Sequence, residues 1–140
     1  QGSTNTKEEI MKAAEKEILD KINLECNLSL KSDEYEYNRF DAEDNKYIVE
    51  IKDRHKFYKN TMIEFDKYSY NLVYSQVANK EFIYAVRMES KIYIFNLTKK
   101  DCSYKWEWRD MPRQTEFKNN EKIKKLVGLL DINNSVRVIL

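Results

Sequence analysis

Asp41, Glu50 and Lys52 are the residues of this chain whose types and spacing suit a chemical task. In the run Tyr47-Ile48-Val49-Glu50-Ile51-Lys52, period-two alternation places Tyr47, Val49 and Ile51 on one face of a strand and Ile48, Glu50 and Lys52 on the other. A two-residue turn at Asp44-Asn45 folds the preceding strand back, pairing Glu43 with Lys46, Asp41 with Ile48 and Arg39 with Glu50. Asp41 then stands diagonal to Glu50 on one face, with Cβ atoms roughly 7 Å apart, so two carboxylates can converge on one ion. A hard cation such as Mg2+ takes one or two carboxylates, waters and a phosphate oxygen. Such an ion polarises a phosphoryl group and lowers the pKa of water, and a lysine beside it orients that water or stabilises charge growing on phosphorus. This is phosphodiester hydrolysis without a His, Cys or Ser nucleophile, in keeping with a chain of one His and two Cys. The same three residues also suit a solvated hairpin face whose ion pairs are worth little. A three-residue turn would reverse the facing and remove the convergence.

The elements that must position these residues are legible from periodicity. Residues 7–25 read as an amphipathic helix in which Ile10, Ala14, Ile18 and Ile22 recur every fourth position beside Met11 and Leu19. Asn5 or Thr6 caps it, and Glu8 and Glu9 suit its positive N-terminal end. The hairpin spans Tyr35 to Asp53, with strands Tyr37–Glu43 and Lys46–Asp53. A polar, basic segment from Arg54 to Asn60 leads to a second helix predicted over Thr61–Ala78, followed by strands Phe82–Met88 and Lys91–Leu97 joined at Glu89-Ser90. Alternating Tyr104, Trp106 and Trp108 predict a fifth strand. A short helix near Asn120–Val127 and a last strand, Ser135–Leu140, complete the pattern. Helix, hairpin, helix and further strands describe an α/β chain with a mixed sheet flanked by helices.

Composition removes several classes of function. The chain has 140 residues, 41% of them hydrophobic and 13% aromatic with ten Tyr, which is not the composition of a disordered tail. Its length predicts one domain, residues 4–140, and the opening Gln1-Gly2-Ser3 reads as a tag-cleavage scar with no signal peptide behind it. Cys26 and Cys102 lie far apart with no metal-ligand spacing, which argues for reduced thiols and against zinc. Only two glycines and one proline are present, so no glycine-rich phosphate loop exists and loops must be short or built from Asn, Asp and Lys. No apolar run is long enough to span a bilayer. The net charge is +1, but residues 1–44 carry six Lys and Arg against twelve Asp and Glu, whereas residues 45–140 carry nineteen against twelve. That asymmetry permits a polyanionic partner.

With these residues in view, the chain resembles the PD-(D/E)xK nuclease superfamily. Its motif is an Asp on one strand and Glu-x-Lys on the next, within an αβββαβ core of restriction-endonuclease type, preceded by a helix bearing another acid. Asp41 and Glu50-Ile51-Lys52 match that motif, and Phe40 stands where the family often has proline. The helix run Ala14-Glu15-Lys16-Glu17 resembles the Ala-Glu-x-Glu helix of archaeal Holliday junction resolvases, and Glu50 to Leu72 resembles phage-encoded members through Arg54, Lys67 and Tyr68. The resemblance implies a Mg2+- or Mn2+-dependent endonuclease in which Asp41, Glu50, the Ile51 carbonyl and Glu15 hold the metal, with Glu17 in reserve. It further implies that Lys52 positions or activates water and that the products are a 5′-phosphate and a 3′-hydroxyl. DNA, including branched or Holliday-junction DNA, is the implied substrate. A homodimer and a cytoplasmic setting, the host cytoplasm for a phage protein, are implied with it. Rival readings are a non-catalytic nucleic-acid-binding module of nuclease-like fold and an RNA-cleaving nuclease of the same superfamily.

The expected nucleic-acid contacts are Arg54, Lys56, Lys59 and Lys67, the first three interleaved with His55, Phe57 and Tyr58. Tyr70, Val73, Tyr74 and Val77 follow helical spacing and are expected in the core. Trp106 and Trp108 are expected to pack on a sheet in preference to serving as a base platform. Arg109, Arg113, Lys118, Lys122, Lys124 and Lys125 form a second basic region, read as a solvated helix face or as an extension of a nucleic-acid track.

Overall fold

The computed structural model describes residues 7–32, 39–99, 105–112 and 122–140, with the side chains of residues 7–12 excepted. The expected cap at Asn5 or Thr6, the side chains of Glu8, Glu9, Ile10 and Met11, and Cys102, Tyr104, Arg113 and Lys118 lie outside that description. In chain order the elements are α1 (Lys7–Cys26), β1 (Lys31–Ser32), β2 (Ala42–Glu43), β3 (Tyr47–Arg54), β4 (Asn60–Glu64) and α2 (Phe65–Ala78). After them come β5 (Glu81–Met88), β6 (Lys91–Asn96), β7 (Trp106–Pro112), β8 (Lys122–Asp131), a 3-10 turn (Ile132–Asn134) and β9 (Arg137–Ile139). A six-stranded mixed sheet runs β1-β2-β3-β5-β6-β9, and a three-stranded antiparallel sheet runs β4-β8-β7. Leaving β4 to the smaller sheet, the order α1-β1-β2-β3-α2-β5 is the expected αβββαβ succession.

β3 and β5 are parallel neighbours, Tyr47 opposite Glu81 through Arg54 opposite Met88, so the chain between them must cross over the sheet. α2 and β4 make up that crossover. Because β3 and β5 are covered on both faces, each carries a continuous buried run, Ile48 to Ile51 and Phe82 to Val86. Alternation still sorts their side chains. Val49, Ile51, Ile83 and Ala85 pack against Ile18, Leu19 and Ile22 of α1. Ile48, Phe82, Tyr84 and Val86 pack with Ile63 and Leu130 of the small sheet and with Tyr68 and Tyr74 of α2. Arg87 ties three elements together, its Nη1 2.8 Å from Glu17 Oε1 and its Nε 2.9 Å from Asp53 Oδ1.

The scarcity of glycine is met by asparagine. Asn27 and Asn79 follow the two helices with φ of 55° and 57°, the left-handed conformation that glycine usually takes at a helix end. Asn is the side chain that tolerates it best.

Three expectations are corrected. The helix predicted from Thr61 begins at Phe65, and residues 60–64 are a strand. Thr61 and Ile63 are buried while Met62 and Glu64 are less so, and β4 pairs with β8 from Asn60–Asp131 to Glu64–Val127. The helix predicted over Asn120–Val127 is the first half of β8, where Lys122 and Lys124 share one face and the chain pairs with β7 on one side and β4 on the other. Sheet partners some seventy residues away outweigh local helix propensity there. On α2, Tyr74 packs on Phe40, but Tyr70, Val73 and Val77 are exposed, so the core stripe is the one through Asn71 and Ser75.

Candidate active site

Within the hairpin the turn sits one residue later than expected. Asp44 Oδ1 accepts from the backbone N–H of Lys46 at 2.8 Å and of Tyr47 at 2.7 Å, which makes Asn45-Lys46 the central pair. The register becomes Ala42–Val49 and Glu43–Ile48, two residues from the one expected. An even shift leaves the facing of side chains unchanged. Only Ala42 and Glu43 of the predicted strand Tyr37–Glu43 are strand; residues 37 and 38 lie outside the description.

At Asp41 the regular ladder gives way. Its N–H donates to the Val49 carbonyl at 2.8 Å, and its Oδ2 accepts from the Ile51 N–H at 2.7 Å. The carboxylate thus lies beside β3 at the position flanked by Glu50 and Lys52. The approach to it is held from α2. Asn71 Nδ2 donates to the Arg39 carbonyl at 3.2 Å, and Phe40 packs on Tyr74 with ring centroids 4.9 Å apart. Phe40 is thus an aromatic anchor for this segment. Arg39 adds an ion pair to Asp66 at 3.4 Å and lies over the Tyr70 ring.

Glu50 shares the α2-facing side of β3 with Ile48 and is only 4% exposed. This excludes the solvated hairpin face. Its Oε2 is 3.3 Å from Lys67 Nζ, which reaches down from the first turn of α2. Burial, and next the charge of Asp41, push the Glu50 carboxyl from the ordinary 4.5 to about 8, against the pull of Lys67 and Lys52. The two lysines are driven apart. Burial, then Lys67 and Arg54, hold the Lys52 ammonium below its usual range, opposed by Glu50 and Glu64. Burial acts to lower Lys67 as well, but Glu50, with Glu64 and Asp41 behind it, leaves it raised. Lys67, 3.3 Å from Glu50, is thus the better-held cation of the two.

Glu64 is a neighbour that the sequence pattern did not disclose. It stands at the start of α2, and its Oε1 accepts from Lys125 Nζ at 3.1 Å, joining β8 to the site. Seeing it required β4, whose Thr61 and Ile63 alternation was the available signal. Arg54 serves the scaffold: its Nη2 donates to the Met62 carbonyl at 3.2 Å, the same oxygen that takes the Tyr84 hydroxyl at 2.9 Å. Burial raises the Tyr84 phenol to about 12, so it stays a donor. Lys56, Lys59 and His55 are exposed on the bend after β3.

The helix-borne acids behave differently. Glu17 is committed to Arg87. Glu15 is half-buried one turn before Ile18 and Leu19, the residues by which α1 packs on Val49 and Ile51. Among the described residues, no group of three or more His, Cys, Asp and Glu side chains is gathered so as to hold a metal ion. Cys26 is a free, half-buried thiol against the α1 core. No helix of the described residues is long and apolar enough to cross a membrane.

No family model matches the chain, and no curated protein does. Among solved structures it is similar to Archaeoglobus fulgidus Hjc, described as a Holliday junction resolvase from an archaeal hyperthermophile. That match has 12% identity over 89% of each chain and a TM-score of 0.49.

Proposed function

We propose that the chain is a metal-dependent phosphodiester hydrolase of the PD-(D/E)xK type. Asp41 and Glu50 are its acidic pair, and Lys52 is its catalytic lysine. One observation carries this reading: a carboxylate buried in the central strand, crowded by a second carboxylate and by two lysines held in opposite protonation tendencies. Residues whose environments push their pKa values apart are the usual mark of acid–base work. A structural ion pair has no need of the additional half-buried lysine.

The donor set fits a hard divalent cation. Two carboxylates with oxygen-only chemistry suffice for Mg2+ or Mn2+, which fill their remaining positions with water and substrate phosphate. Asp41 and Glu50 would hold the ion, with the Ile51 carbonyl and Glu15 as the further ligands that the family resemblance adds. When bound, the ion supplies charge neutralisation at the phosphoryl oxygens. The chain's own residues do the rest. Lys67 neutralises and orients Glu50, while Asp41 is fixed by the Ile51 amide. Lys52, in its neutral form, accepts a proton from the attacking water as the water oxygen bonds to phosphorus; the bond to the 3′ oxygen breaks and that oxygen takes a proton from solvent, leaving a 5′-phosphate and a 3′-hydroxyl.

DNA is the proposed substrate, branched DNA included, with Lys56 and Lys59 on the exposed bend as backbone contacts. Two copies acting together are proposed for paired cuts on a symmetric junction. The test is cleavage of labelled four-way junction, flap, nicked duplex, linear duplex, single strand and RNA in Mg2+, Mn2+ and EDTA, with Lys52→Ala alongside. Metal-dependent cutting that disappears in the variant is expected. Cutting that survives Lys52→Ala refutes the assignment, and a folded wild type silent on every substrate is a binding module.

A further inference from the structure

We propose that Phe65, Trp106 and Trp108 form a stacking shelf for unpaired bases of a nucleic-acid strand; the proposal rests on the phosphodiesterase reading and names the feature of the substrate that the small sheet recognises. The two tryptophans have separate roles. Trp106 is half-buried, edge-on to Phe65 at 5.3 Å and to Tyr68 at 5.2 Å. Its ring lies so close over Gly128 that a Cβ there would stand 2.8 Å from it. It is a fixed wall. Trp108 lies two residues further along β7 on the same face and is 65% exposed, and Phe65 is 43% exposed. Rings at alternate strand positions stand about 7 Å apart, so the three form a row continued outward from the core.

The surroundings select the partner. Trp108 pairs across the sheet with Leu126, Asp110 with Lys124 and Pro112 with Lys122, so two lysines share the face of the exposed indole. Among the described residues the acid on that face is Asp110, 3.5 Å from Lys124 in an exposed pair of little worth. An aromatic row beside lysines suits a ligand with a π-face at each unit and a negative charge between units, which describes a single strand. In a duplex the bases are stacked on one another and offer no face to an indole. Placement agrees with this. Phe65 and Lys67 belong to the same first turn of α2 and point to opposite sides of it, two residues being about 200° around the helix. A strand with a phosphate at Lys67 and Lys52 reaches the row by passing over the start of α2. The junction of paired and unpaired nucleic acid is thus the expected substrate.

The chain has two tryptophans, both in this row, so its emission reports the shelf directly. Titration with a fifteen-residue oligothymidylate in EDTA, where nothing is cut, is expected to quench the emission; a blunt duplex of equal length is expected to bind without quenching. Trp108→Ala should weaken oligothymidylate binding, followed by anisotropy of a labelled strand, by about 5- to 100-fold, with Trp108→Phe retaining most of it. Equal affinity of wild type and Trp108→Ala overturns the shelf, as does binding without quenching. Self-association in sedimentation that Trp108→Ala abolishes also overturns it, since the row would then cover a second copy. Lys52→Ala separates this proposal from its parent: lost cleavage with quenching retained supports both, and retained cleavage refutes the nuclease assignment while the quenching result stands.

Discussion

Glu50 makes the fold pay for the site, and the cost is measurable as a function of pH. In the folded protein its carboxyl titrates at about 8 instead of 4.5, chiefly because it is buried. Between those values the folded state holds a proton that the unfolded chain has released. Stability is therefore lost as pH climbs through this window and is level again above about 8. At 1.36 kcal/mol per pH unit the ceiling on the loss is about 5 kcal/mol, roughly 10–20 °C in Tm for a chain of this size. Glu50→Gln carries no charge to bury, so its stability should approach wild type below about pH 4.5, exceed it by about 1 kcal/mol at pH 5.5 and by several kcal/mol at pH 9. Lys52, held low, acts in the opposite sense at higher pH, so the comparison is variant against wild type at each pH. Thermal unfolding followed by circular dichroism in EDTA, from pH 5 to 9, reads the effect. Added Mg2+ should restore wild type at pH 8–9 and leave Glu50→Gln unmoved, while cleavage by the variant is lost. A wild-type Tm that is flat across the range, or a variant that declines in parallel with it, would refute the argument that burial of Glu50 sets the cost.

Lys52→Ala should abolish cleavage while keeping a wild-type melting curve at pH 7; a cooperative transition lost in the variant would make the lysine structural. Asn71→Ala removes the hold on the Arg39 carbonyl and should cost about 1 kcal/mol, because the buried, unpartnered Oδ1 leaves with the side chain. Its cleavage rate should fall further than its stability, and an unchanged rate would show that the Arg39–Asp41 segment needs no anchor. Gly128→Ala forces the Trp106 ring outward and should cost about 1–3 kcal/mol, with a red-shifted emission; an unaltered spectrum and Tm would mean that the ring yields freely.

The parts of this site that were legible in the sequence are those set by period-two alternation and short-range pairing. Glu50 and Lys52 share a face whatever the register, and Asp41 joins them because the hairpin slipped by two residues and not by one. The slip itself came from the Asp44 side chain capturing two backbone N–H groups, a local bond that alternation does not report. Lys67 was visible only through the family resemblance. Glu64 and Lys125 were hidden because both belong to β4 and β8, whose strand character comes from pairing across the chain and not from their own residues. The exposure of Trp108 was equally out of reach: alternation fixes which residues share its face, but not how far the core extends beneath them.

The small sheet is inserted in an unusual place. A crossover between parallel strands needs only a helix, yet here β4 precedes α2 within it, and β8 and β7 are hung on β4 in turn. The ribbon of β7 and β8 is therefore hydrogen-bonded to the fold only through β4, while Leu130 and Trp106 seat its inner end on the core and on α2. Such a joint lends itself to grafting at its outer end: ribbon tips of other lengths and aromatic content can be exchanged beyond Trp108 and Leu126, while the buried residues that seat the ribbon stay as they are.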